Sequence, residues 1–267
     1  MLMRKSILEF QKQNPKIVAV TAYDATFASL VDAWVDIVLV GDSLGMVVQG
    51  KQTTLEVTMA EMIYHTQCVH RGLHTAHLVS DMPFLSFQIS MEDTILNAGR
   101  LIQAGAQSVK VEGAGEALCE TIRRMIEVGI PVMGHIGMTP QSVHRWGGFK
   151  VQGKEVSRRK ELIDQAKALE AAGVYALVLE SMPLDLAREI TEQLSIPTIG
   201  VGAGPYCDGQ VLVLYDILGM FQNFKPKFVK QYLNGSAVVQ EVIQQYAREV
   251  KAGEFPLKEH SYGEVKT

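Results

Sequence analysis

Cysteine is scarce in this chain. Three residues, Cys68, Cys119 and Cys207, stand among 267, and no CxxC pair occurs. That argues against zinc ribbons and redox dithiols. The thiols read as buried or incidental, with Cys207 set apart by its Gly-rich loop. No apolar run approaches the roughly 18 residues that a membrane span needs. The opening MLMRKSILEFQKQ is polar and amphipathic and lacks the apolar core of a signal peptide, so a cytoplasmic protein is expected. A dominant charge is missing as well. Lys and Arg number 25 against 29 Asp and Glu, a net charge of -4, which disfavours a nucleic-acid binder with a basic face. No GxGxxG follows the first strand-like run, and HTQCVH is not HExxH.

What the chain has is alternation. It is 47% hydrophobic and 20% charged, with no linker, low-complexity tract or long charge block. Apolar, β-branched runs read as strands at Ile17–Ala22, Ile37–Gly41, Ala76–Ser80, Ser108–Val111, Val132–His135, Ala176–Leu179, Thr198–Val201 and, more weakly, Val211–Leu214. They lack polar alternation, as expected of strands covered on both faces. Helical patterns lie between them at Ala25–Val35, Met59–Arg71, Glu92–Ala104, Glu116–Val128, Arg158–Ala172 and Asp185–Leu194, several stopped by a nearby Gly. Eight such units suit one closed (β/α)8 TIM barrel domain over residues 1–267, an open doubly wound sheet being the rival. The first dozen residues read as an N-terminal helix covering the barrel's bottom. Gln231–Lys251 reads as a C-terminal helical extension with the apolar stripe Val238, Val239, Val242 and Tyr246. The segment Gly137–Lys154 is too long for a plain βα connection and reads as a lid or binding loop.

Four carboxylates stand where apolar runs end: Asp42 in IVLVGDS, Asp81 in AHLVSDMP, Glu112 in SVKVEG and Glu180 in YALVLES. In a barrel those ends share one rim, where active sites lie. Lys110 and Glu112 are two apart on one strand and face the same way. They are either a buried ion pair or a metal ligand beside an anion-binding ammonium. Asp42 is either a helix N-cap or, with Asp81 and Glu112, part of an oxygen ligand set that favours Mg²⁺ over zinc. His135 is a structural histidine or a substrate contact. Glu180 is a core ion-pair member or a general base. His65, His70, His74 and His77 are irregularly spaced and read as helix-surface and loop residues. GVGAG (Gly200–Gly204) permits close backbone approach to a ligand.

The motifs VGDSLGMVVQG, SDMPF, VKVEG, GHIGMTPQS, GGFKVQGK and GVGAGPYCDGQVLVLYDILG, in this order, resemble the ketopantoate hydroxymethyltransferase family across nearly the whole chain. The resemblance implies a decameric (β/α)8 barrel that makes 2-dehydropantoate from 3-methyl-2-oxobutanoate and 5,10-methylenetetrahydrofolate, with Mg²⁺. It implies Asp42, Asp81 and Glu112 at the magnesium site, and Asp42, Ser43, Asp81 and Lys110 at the oxoacid. Glu180 becomes the proton acceptor and His135 an active-site neighbour. Phe149, Ser181-Met182 and Tyr215 depart from the family pattern. Two other readings remain at this stage: another Mg²⁺-dependent, enolate-forming barrel, such as an oxoacid lyase or phosphoenolpyruvate mutase relative, and a non-catalytic binding barrel.

Overall fold

Short β-branched runs buried on both faces have one economical solution, a parallel sheet wrapped by helices. The computed structural model describes residues 4–12, 15–221 and 225–263. These fall into two compact units, one ending at Leu214 and the other beginning at Tyr215. In the first, eight parallel strands close in sequence order, with the last pairing to the first. They are β1 (Ile17–Thr21), β2 (Ile37–Val40), β3 (His77–Asp81), β4 (Ser108–Glu112), β5 (Val132–Gly137), β6 (Ala176–Glu180), β7 (Thr198–Val201) and β8 (Gly209–Leu212). The closed barrel replaces the open-sheet alternative. β8 begins two residues earlier than its apolar pattern suggests, because Gly209 lies opposite Ile17 and a Cβ there would meet the Ile17 carbonyl at 2.7 Å.

Helices α1 (Ala25–Val31), α3 (Met59–Gly72), α4 (Met91–Gln103), α5 (Glu116–Glu127), α7 (Val156–Ala172) and α8 (Leu184–Gln193) cover the outside, and the single turns α2 (Leu44–Val47) and α6 (Val143–Trp146) lie in the segments after β2 and β5. Local sequence starts and stops them. Asp24 and Ser90 cap α1 and α4, and Thr58 with Glu61 forms a capping box on α3. Gly173 ends α7 in the left-handed conformation.

Inward-facing side chains fill the barrel. Ile17, Ala19, Ile37, Leu39, Val79, Met133, Ala176, Val178, Ile199 and Val211 form one buried cluster. Each large member contributes on the order of 2 kcal/mol by leaving water. Phe10 belongs to the same cluster, and this corrects the expected N-terminal helix. Ser6 and Glu9 close a capping box on a single 3-10 turn, Ile7–Glu9, after which the backbone extends at Phe10. Burying the Phe10 ring under the barrel outweighs another helical turn. The rest of that expected helix, residues 1–3, lies outside the described residues.

His77 is a second correction. It lies on β3, buried in the barrel's bottom, with its ring edge-on to Phe10 at 5.4 Å. Its Nδ1 is 2.9 Å from the Lys5 carbonyl, which can only accept, so Nδ1 carries the proton. Nε2 then accepts from the Ser108 hydroxyl at 2.9 Å, and Ser108 in turn accepts from Tyr175 at 2.9 Å. The chain is satisfied with a neutral imidazole.

In the second unit, α9 (Gly235–Ala252) is the expected C-terminal helix, starting four residues later than its pattern and ending at a left-handed Gly253. Val238, Val239, Val242 and Tyr246 on it remain exposed. Tyr246 meets Phe255 edge-on at 5.5 Å.

Burial pushes the His77 imidazole down to about 4 from 6.5. Between those values the unfolded chain binds more protons than the folded one. Stability therefore falls as pH drops from 6.5 through 4, by roughly 3 kcal/mol for this group. Urea unfolding across that window is expected to show His77→Gln less acid-sensitive than the unaltered chain. Identical slopes would remove His77 as the cause.

Candidate active site

Strand register makes neighbours of residues that the sequence separates. Asp81 on β3 is paired with Lys110 on β4, and Glu112 on β4 with His135 on β5. All four lie at the C-terminal ends of their strands and face inward. Asp42 follows β2, where its backbone N–H donates to Asp81 Oδ2 at 3.1 Å. The structure thus gathers Asp42, Asp81, Lys110, Glu112 and His135 into one buried group.

The contacts are short. Lys110 Nζ is 3.1 Å from Asp81 Oδ1, an ion pair without hydrogen-bond alignment, and 3.3 Å from His135 Nδ1. His135 Nδ1 also lies 3.6 Å from Glu112 Oε1, and its Nε2 lies 3.2 Å from Glu180 Oε2. Glu180 therefore has an imidazole beside it. Its side chain is 18% exposed, against 3–6% for Asp81, Lys110, Glu112 and His135. Of these carboxylates, Glu180 is the one an entering molecule meets.

Two backbone features hold Glu180 in place. Ser181 next to it adopts φ of +48°, a left-handed bend that costs a non-glycine residue about 1 kcal/mol. Gly137 lies opposite Glu180 in the sheet at φ of +101°, where a Cβ would sit 2.2 Å from the Glu180 carbonyl. Only glycine fits there. The long segment after β5 is fastened to the same place. Met138 N–H donates to the Glu180 carbonyl and Gln152 N–H to the Ser181 carbonyl, both at 2.9 Å. Between these feet the segment carries a 3-10 turn, Pro140–Ser142, and α6. The Trp146 indole donates to Thr139 Oγ1 at 3.0 Å and stacks under Arg158 at 4.6 Å.

The electrostatics follow from burial. Asp42 is raised well above the usual carboxylate range, first by burial and then by the charges of Asp81 and Glu112. Burial also raises Asp81, with Lys110 opposing it. Burial depresses the Lys110 ammonium, but Asp81, Glu112 and Asp42 more than reverse this and hold it above the ordinary lysine value. Burial and Lys110 push the His135 imidazole down, and contacts with Glu112 and Glu180 outweigh them, lifting it to about 9.

Among the described residues, no three His, Cys, Asp or Glu side chains form a ready-made metal cage. The donor set nevertheless suits a hard divalent cation that keeps part of its water. Asp42, Asp81, Glu112 and Glu180 face Lys110 and His135, so acidic groups outnumber basic ones, and a cation among them would favour the ionised acids. Among the described residues, buried Asp81 Oδ1 has only the Lys110 ammonium as its partner. Mg²⁺ needs one or two carboxylates and retains several waters.

Ser43, a predicted oxoacid contact, sits beside Asp42, and its hydroxyl is hydrogen-bonded to Tyr23 at 2.8 Å. Tyr23 escaped the sequence reading, although it lies two residues past β1 at the same rim. Gln141 escaped it too. Its Nε2 donates to Asp42 Oδ2 and to the Met82 carbonyl, both at 2.9 Å, and its backbone N–H donates to Glu112 Oε2 at 3.0 Å. The available signal was its place inside GHIGMTPQS, six residues after His135 in an over-long loop. Cys207, noted for its loop, is fully buried.

Comparison with known proteins gives the family of the chain. The profile of the family "Ketopantoate hydroxymethyltransferase" matches residues 2–258. A 3-methyl-2-oxobutanoate hydroxymethyltransferase of Syntrophomonas wolfei is 53% identical over 254 residues, covering 94% of this chain and 92% of the relative. The enzyme of the same name from Geobacter metallireducens is 52% identical over 264 residues, 97% of this chain and 98% of the relative. Among solved structures, a phosphoenolpyruvate phosphomutase from Streptomyces platensis subsp. rosaceus superposes with a TM-score of 0.61. It covers 94% of this chain and 88% of that one at 15% identity, a likeness of fold.

Removing the Lys110 ammonium leaves the buried acids uncompensated. Measured with chelator present, Lys110→Met is expected to lose roughly 3–5 kcal/mol of unfolding free energy. Adding Asp81→Asn to it is expected to recover part of that loss. Losses that simply add would show that the pair is not coupled.

Proposed function

The chain belongs to the ketopantoate hydroxymethyltransferase family, and from this premise we propose that it transfers a hydroxymethyl group from 5,10-methylenetetrahydrofolate to 3-methyl-2-oxobutanoate, giving 2-dehydropantoate. The observation that carries the reading is Glu180 at the open end of the site, 3.2 Å from His135 and above the buried acids. The substrate's C3–H is α to a ketone, so its removal requires a carboxylate base and stabilisation of the charge that spreads onto oxygen.

The chain's own residues divide these tasks. Glu180 accepts the C3 proton on a carboxylate oxygen. His135, whose Nε2 lies 3.2 Å from Glu180 Oε2, keeps Glu180 aimed until the substrate arrives. Lys110 and the Ser43 hydroxyl hold the oxoacid's carboxylate or keto oxygen, with Tyr23 orienting the hydroxyl. Asp42, Asp81 and Glu112 would hold Mg²⁺, directly or through water. The bound ion supplies Lewis-acid stabilisation of negative charge on the oxoacid. The enolate carbon then bonds to the folate's one-carbon unit. Overall, the donor's carbon–nitrogen bonds give way to a new carbon–carbon bond and a hydroxyl derived from water. The segment from Gly137 to Lys154 limits stray water while that donor is exposed.

The same family reading assigns a cytoplasmic homodecamer. No helix among the described residues is long and apolar enough to cross a membrane. The phosphomutase-like alternative has the fold in its favour, but relatives above 50% identity over 94% and 97% of the chain favour the transferase. Burial of Cys207 also removes a thiol nucleophile from the rim.

Incubation with 3-methyl-2-oxobutanoate, Mg²⁺ and methylenetetrahydrofolate is expected to yield 2-dehydropantoate. Glu180→Gln should lower turnover by about 10²- to 10⁴-fold while calorimetry still detects oxoacid binding. Absence of product from the unaltered protein defeats the proposal, and full turnover in Glu180→Gln removes that residue from its role.

A further inference from the structure

We infer that Gln141 is a positioning residue that sets the divalent-cation affinity of this site. The inference rests on the cation reading above. Both ends of its side-chain amide and its backbone N–H are engaged. One amide group reaches Asp42 Oδ2 and the Met82 carbonyl, both at 2.9 Å, and Oε1 accepts from Gln88 Nε2 at 3.1 Å. The backbone N–H takes Glu112 Oε2 at 3.0 Å. Gln141 thereby ties the ends of β2, β3 and β4 together from the segment that follows β5. It touches two of the three acids assigned to the cation, and it is itself buried.

The choice of glutamine has a physical reason. A buried carboxylate must be given hydrogen-bond donors or a counter-charge. A lysine or arginine here would satisfy Asp42 but cancel the charge that attracts a cation, and Lys110 already supplies one ammonium. A neutral amide fixes the Asp42 carboxyl group without adding a second positive charge beside it. The amide cannot be turned round, since the Met82 carbonyl can only accept, and Gln88 donates to Oε1. Groups that orient metal-binding side chains in this way are worth about 10- to 100-fold in affinity. The arrangement also links the segment after β5 to the acids, so the loop that shields the mouth helps to shape the floor.

The test uses Mn²⁺ alone, read by the electron paramagnetic resonance of the free ion, so no turnover is needed. Gln141→Met keeps the side-chain length and the backbone N–H but loses the amide. It is expected to weaken Mn²⁺ binding by about tenfold or more. It should also raise the Mg²⁺ concentration for half-maximal activity while leaving kcat at saturating Mg²⁺ within about twofold. Gln88 is exposed, so Gln88→Leu tests the same chain of contacts without threatening the fold, and a smaller loss in the same direction is expected. Unchanged Mn²⁺ affinity in both variants overturns the inference and leaves the cation reading standing. Failure of the unaltered protein to bind Mn²⁺ overturns both. A fall in kcat that excess Mg²⁺ does not restore assigns Gln141 a purely structural role.

Discussion

Excess negative charge, buried at one end of a barrel, is the constraint on which the rest of this structure depends. Asp42, Asp81, Glu112 and Glu180 converge on two nitrogen bases, Lys110 and His135. In the low dielectric of a barrel such a group is costly unless each charge is paired or bonded. The protein meets the cost in three ways. Lys110 is held charged among three acids. His135 lies between Glu112 and Glu180, whose contacts raise its imidazole above the ordinary value. Backbone and amide donors reach the remaining oxygens, from Asp42 to Asp81 and from Gln141 to Asp42 and Glu112. What is left over is a surplus of acids, and it is the basis for assigning a cation there.

The scaffold places the group by register rather than by loop design. Parallel strands bring successive C-terminal ends level, so Asp81 beside Lys110 and Glu112 beside His135 follow from backbone pairing. The two ends of the barrel are built on different principles. The bottom is sealed by Phe10, and its polar chain of His77, Ser108 and Tyr175 is complete in its neutral form. The top is charged, and Asp81 Oδ1 is held there only by its ion pair with Lys110. Stability is gathered at the closed end, and the reactive groups stand at the open one.

Much of this was legible in the sequence. Buried strands declare themselves by apolar runs, and an acid closing such a run is conspicuous because nothing in packing asks for it. That is why Asp42, Asp81, Glu112 and Glu180 could be named before their positions were known, and why the spacing of Lys110 and Glu112 put them on one face. Gln141 was not legible, because its partner Asp42 lies 99 residues away and glutamine is common in loops. His77 was misjudged because a histidine in a strand gives no sign of whether a serine and a carbonyl await it. The N-terminal turn was misjudged because the burial of Phe10 is a tertiary effect that overrides helical propensity. The start of β8 depended on its pairing with β1, which only barrel closure decides.

The central claim is that this acid group, charged and holding a divalent ion, makes the C3 proton of the oxoacid removable. The most direct measurement is deuterium uptake at C3 of 3-methyl-2-oxobutanoate in heavy water, followed by proton NMR, with the folate omitted. Uptake that requires Mg²⁺ and stops on chelation is the predicted result. Uptake at the same rate with chelator present, or none with Mg²⁺ saturating, would contradict the account.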